Sequence, residues 1–144
     1  MITSNIDSFN ETVGVTLAFL YENFPVKKTI KIHKLMHVPE IYDPSDSGFK
    51  EAQSLLEFHY YAVEWLVESG YISATPHRFD GFSDAVLTAK GLEVLKLRPS
   101  SLNSSFGDEL MQASKSGTRE VIKDVTSSLL STGITFLLNK FMYG

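Results

Sequence analysis

Apolar residues recur at helical spacing from the start of the chain. Phe9, Val13, Leu17, Leu20 and Tyr21 share one face, which predicts a helix over Ser8–Asn23. Ser8 is its expected N-cap, with Glu11 three residues later completing a capping box. Gly14 weakens the helix a little. Pro25 ends it, because the residue before proline avoids helical backbone. In VKKTIKIHKLM (26–36), Val26, Ile30 and Ile32 alternate imperfectly with lysines, as in a short edge strand leading into a helical turn. HVPEIYDPSDSG (37–48) has two prolines, a glycine and small polar residues, and reads as a loop.

The strongest periodicity lies over residues 46–69, where Ala52, Leu55, Leu56, His59, Val63, Leu66 and Val67 share one face. Asp46 or Ser47 is placed to cap this helix, and Gly70 to stop it. Tyr71–Ala74 and Ala85–Leu87 read as two strands, joined by a hairpin loop that contains Pro76 and Gly81. Thr88 caps a further helix over about 88–97 that turns Leu92 and Leu95 inward. Gly91 inside it permits close approach of a neighbour. The serine-rich stretch RPSSLNSSFG (98–107) reads as a boundary. The expected organisation is therefore a first domain over 1–98, a linker over 99–107 and a helical region over 108–144. Gly117 and Gly133 are possible breaks in that last region.

Composition narrows the function classes. The chain has 144 residues, 43% of them hydrophobic, which suffices for a real core. It has no cysteine, so disulfides and thiolate metal sites are excluded. Its first residues, MITSNIDSFNET, lack the basic and apolar regions of a signal peptide, and a cytoplasmic protein is expected. The net charge of −4 is not the footprint of a typical nucleic-acid binder. The charge is segregated, however. Residues 27–37 carry Lys27, Lys28, Lys31 and Lys34 with no acid, whereas residues 40–68 carry seven acids against Lys50 alone.

The predicted order is helix, short strand, short helix, long helix, hairpin, helix. With "FLYENFPV", "VEWLVESGYI" and "AVLTAKGLEVL" at its junctions, residues 8–98 resemble winged helix-turn-helix domains. The chain also resembles small bacterial winged-helix proteins of uncharacterised role that carry a glycine- and serine-containing helical tail. The resemblance implies a mainly α fold with a small β-hairpin wing (α+β), followed by C-terminal helices. It also implies a long helix that enters the DNA major groove with the hairpin beside the backbone.

The residues argue against simple transfer of that activity. Affinity for DNA comes mostly from cations meeting phosphates, yet the long helix carries Asp46, Glu51, Glu57, Glu64 and Glu68 against Lys50. Candidate phosphate contacts are Lys27, Lys28, Lys31, Lys34 and Arg78; the same lysines also suit a solvated edge strand that resists aggregation. A protein-binding surface fits the charge better. Its candidates are Glu57, Tyr60, Tyr61, Glu64, Phe79 and Phe82, because aromatic residues are the usual anchors of interfaces. Trp65 is expected to be core. The expected function is non-enzymatic binding to a protein, as an adaptor, inhibitor or neutraliser, with DNA-binding transcription regulation as the alternative.

The tail raises a separate question, since no charge occurs from Val125 to Asn139. Val125, Leu129, Leu130, Ile134, Leu137, Leu138 and Phe141 make an apolar stripe. It could cover its own domain, pair with the same helix of a second subunit, or rest on a membrane surface. The small hydroxyl residues opposite the stripe favour helix–helix contact, hence a homodimer; a membrane is the least suited partner. His33 and His37 are four apart but lack a third ligand, and His59 lies on an apolar face. No phosphate-binding loop or nucleophile elbow is present, so no cofactor, metal or catalytic residue is assigned.

Overall fold

The computed structural model describes residues 4–143, and the side chains of these except 137 and 140–143. Helix α1 (Asn5–Asn23) begins earlier than the expected Ser8 cap. The Ser4 hydroxyl accepts the Asp7 amide at 3.1 Å, and Ser8 already bonds back to the Ser4 carbonyl within the first turn. Ser4 and Asp7 reproduce the same cap spacing one turn upstream, so the more N-terminal site prevails. In its middle, α1 is buried on more than one face. Thr12, Val13, Gly14, Thr16, Leu17 and Ala18 are all buried, because α1 touches α3 (Phe49–Glu68), α5 (Phe106–Ser116) and α6 (Arg119–Tyr143). The threonine hydroxyls stay satisfied inside the helix, Thr16 donating to the Thr12 carbonyl and Thr12 to the Ser8 carbonyl.

Strand β1 (Lys28–Lys31) runs directly into the one-turn helix α2 (Ile32–Leu35), as the mixed pattern over 26–36 predicts. β2 (Ile72–His77) and β3 (Gly81–Leu87) are longer than the sequence suggests, leaving only Arg78–Asp80 as the turn. The sheet is antiparallel with order β1-β3-β2, and Ile30 and Pro76 both pair with Phe82. Pro76 is tolerated because β2 is an edge strand, where a missing N–H need not leave a partner unpaired.

α3 starts at Phe49, later than anticipated. Asp46 instead caps the preceding turn by accepting the Gly48 amide at 2.9 Å. Gly70, at φ 81°, ends the helix as expected. The buried stripe of α3 is Ala52, Leu56, Tyr60, Ala62, Val63 and Leu66, so Tyr60 faces inward and Leu55 outward. α4 (Ala89–Lys96) is capped by Thr88, which accepts the Gly91 amide at 3.1 Å. A Cβ at Gly91 would overlap the Tyr71 carbonyl, which explains the glycine. Val94 and Leu95 are buried, with Leu92 partly so. Lys90 donates to the Ser69 carbonyl and lies 4.7 Å from the centre of the Tyr71 ring, tying α4 to the end of α3.

The expected linker is shorter than 99–107. Ser105 caps α5, and Ser105, Phe106 and Gly107 are buried. Gly117 adopts the left-handed conformation that ends α5, whereas α6 continues through Gly133. Phe106, Leu110, Ile122, Val125 and Leu129 belong to the same buried cluster as Leu17 and Phe82. The chain is mainly helical with a small three-stranded antiparallel sheet, an α+β arrangement built around α1.

Candidate interaction surfaces

Three surfaces take up the residues singled out by sequence. The first is the outward face of α3. Glu57 and Glu68 are exposed on it, and Glu64 is half-buried. Tyr61 is 53% exposed and Trp65 38%, one turn apart on the same flank. The exposure of Trp65 departs from the expectation of a core residue. Its ring meets Phe9 edge-on at 5.1 Å and stacks on Tyr71 at 6.0 Å, which holds it flat against the surface.

Two anchor candidates are not surface residues. Tyr60 and Phe82 are buried and stacked with ring centres 4.8 Å apart, so both serve the core. Their place follows from strand register: the Ile30–Phe82–Pro76 row turns Phe82 inward, and Tyr60 meets it from α3. Burial, with the nearby Glu64 carboxylate and then Tyr61, pushes the Tyr60 phenol above its ordinary pKa. Phe79 is half-buried at the hairpin turn with φ 64°, edge-on to both Tyr60 and Tyr61. It buttresses Tyr61 rather than standing free. The sequence reading missed two exposed groups, Leu55 on α3 and Tyr42 in the 37–48 loop.

The second surface is basic. Lys27, Lys31, Lys34 and Arg78 are exposed and Lys28 is half-buried; among the described residues none of the five is in an ion pair. Lys31 pairs with Gly81 in the sheet, and the Ile32 amide donates to the Asp80 carbonyl at 3.1 Å. The β1–α2 junction is thus joined to the hairpin turn that bears Arg78. Asp80 in the same turn offsets part of its charge.

The third is the tail. Val125 and Leu129 are buried in the core of their own chain, and Leu130 is partly buried against it. These three cover α1 and its neighbours, so the expected oligomer stripe is reduced at this end. Ile134 and Leu138 are 59% and 58% exposed. Leu137 and Phe141, also placed in the stripe, lie outside the described side chains.

The histidines form no ligand cluster. His33 Nδ1 is 3.2 Å from the Val38 carbonyl oxygen, while His37 is exposed. Among the described residues, no group of three potential metal ligands occurs, and no helix is long and apolar enough to cross a membrane. His59 is half-buried with Nδ1 2.8 Å from the Thr12 hydroxyl, and burial lowers its pKa. A cleft of about 470 Å³ opens between α1, the end of α2 and the α5–α6 junction. The sequence matches no family model, no curated protein and no solved structure.

Proposed function

We propose that this is a non-enzymatic winged-helix protein that acts by binding another protein through the outward face of α3. One observation carries the reading: Tyr61 and Trp65 stand exposed on the flank that bears Glu57 and Glu68. Aromatic side chains held by their neighbours suit an interface anchor, because little rotamer freedom is lost on contact. The carboxylates around them favour a cationic partner surface and oppose phosphate. The element order, with its sheet of β1, β3 and β2, supports the winged-helix assignment. Self-association through the Ile134–Leu138 stretch belongs to the same reading, and so does a cytoplasmic setting.

The test compares immobilised full-length protein with the double variant Glu57→Lys, Tyr61→Ala. Partners retained by the native chain and lost by the variant support this surface; equal retention refutes it. Light scattering of the native chain and of Leu138→Glu tests self-association. A dimer that becomes a monomer supports it, and a native monomer removes it.

The unpaired basic strip favours DNA binding as a second reading. Under it, the double variant Lys27→Glu, Lys31→Glu releases duplex DNA, and affinity falls steeply with salt. Retention unchanged by the variant eliminates that role.

A further inference from the structure

The 470 Å³ cleft is neither the outward face of α3 nor the exposed stretch of α6. Its apolar wall comes from separate parts of the chain: Val15 and Phe19 of α1, Met36 after α2, Met111 of α5 and Ile122 of α6. The volume falls within the range of small-molecule sites, roughly 300–1,000 Å³. Two methionines among these residues let the wall adapt to an irregular aliphatic surface.

The polar groups at the cleft are unequal in charge. Lys34, Lys115 and Arg119 line it together with Glu11 and Glu22. Lys115 is paired with Glu22 at 2.9 Å, and Arg119 with Glu11 at 3.6 Å. Both carboxylates are therefore engaged, and among the described residues Lys34 has no acidic partner. Beside it, His37 holds a left-handed backbone at φ 55° on the cleft wall. Such conformations in non-glycine residues concentrate at binding sites.

We propose that this cleft binds an aliphatic monocarboxylate. The hydrocarbon tail lies along Val15, Phe19, Met111 and Ile122, and the carboxylate meets the Lys34 ammonium. A cationic head would meet the same uncompensated charge and be repelled. A carboxylate without a tail would lose the contact along Val15, Phe19 and Met111.

Isothermal titration of the full-length protein tests this, using hexanoate, octanoate and decanoate below their micelle concentrations. Acetate, decanol and decyltrimethylammonium serve as controls. Saturable binding of one acid per chain is expected, tightening with each added methylene by up to about fourfold, the value for full burial. Acetate and decyltrimethylammonium should give no saturable heat. The Lys34→Glu variant should bind decanoate at least tenfold more weakly while its affinity for decanol is unchanged. Lys34 is exposed, so the variant is expected to fold, and circular dichroism checks that. Absence of saturable decanoate binding overturns the proposal. Equal binding of the cationic and anionic chains, or decanoate binding unchanged by Lys34→Glu, also overturns it.

Discussion

Gly14 offers the sharpest test of how the C-terminal helices sit on α1. In an exposed helix, Gly→Ala would stabilise by about 1 kcal/mol, because alanine restricts the unfolded chain and favours helical backbone. Here a Cβ would overlap the Thr126 hydroxyl oxygen and come within 2.6 Å of Ile122 Cγ2. Ile122 and Thr126 are both buried on α6, so neither can swing into solvent. Relief requires α6 to move away from α1, and overpacking of this kind costs about 1–3 kcal/mol. Gly14→Ala is therefore expected to lower stability by about 0–2 kcal/mol net, despite the better helix former. For a chain of this length the melting temperature should fall by up to about 8 °C. Urea and thermal unfolding followed by circular dichroism provide the measurement. The double variant with Thr126→Ala removes one of the two overlaps and should recover part of the loss, by at least about 0.5 kcal/mol. A stabilised Gly14→Ala protein would refute the close crossing of α1 and α6.

Among the described residues, the buried Thr126 hydroxyl has no hydrogen-bond partner. Thr126→Val keeps the shape and removes the unsatisfied group, so urea unfolding should show a gain of about 1 kcal/mol; a loss of that size would mean the hydroxyl is bonded. For His59, burial lowers the folded-state pKa below 6.5, so the unfolded chain takes up the proton more readily. Its contribution to stability is complete above pH 6.5 and declines as pH falls from there toward the folded pKa. Urea midpoints across that window should fall less steeply for His59→Asn, and parallel profiles would disprove the assignment. Tyr60→Ala should cost about 3–5 kcal/mol by emptying the space beside Phe82, whereas Tyr61→Ala should cost less than about 1 kcal/mol. Similar losses at the two positions would contradict their opposite burial.

The element order was readable because each boundary has a local cause. Pro25, Gly70 and Thr88 act through their own backbone or side chain, and each ends or starts an element where its chemistry predicts. Errors arose where distant packing decides. A single apolar stripe was visible on α1, but Gly14 and Ala18 do not look like a contact face until α6 and α5 lie against them. A glycine inside a helix marks close approach as well as weak propensity. The stripe of α3 holds at Ala52, Leu56, Val63 and Leu66 and differs at its margins, where Tyr60 and Ala62 are buried and Leu55 is not. Tyr60 is expected as an interface anchor, whereas it stacks on Phe82 in the core, and Leu55, expected on the apolar face, lies outside. Glu57, Tyr61 and Trp65 share one flank by their four-residue spacing alone. The exposure of Trp65 is not legible in that spacing, because it depends on lying flat over Phe9 and Tyr71 from two other segments.

Charge ties these surfaces to function more directly than fold does. The outward face of α3 presents Glu57 and Glu68, whereas the lysines of β1 and α2 sit on the strand–hairpin side. A duplex approaching α3 head-on would bring phosphates to those carboxylates, with each close like-charge encounter unfavourable. Binding through the lysines instead would orient the duplex on β1 and the hairpin, whose turn residue Phe79 lies edge-on to Tyr61. Raising the salt concentration should weaken the two associations by the same screening, so salt dependence alone does not separate them. The sign of the substituted charge does: Glu57→Lys should weaken the protein contact and favour DNA at α3, and Lys31→Glu should weaken DNA while sparing the protein contact.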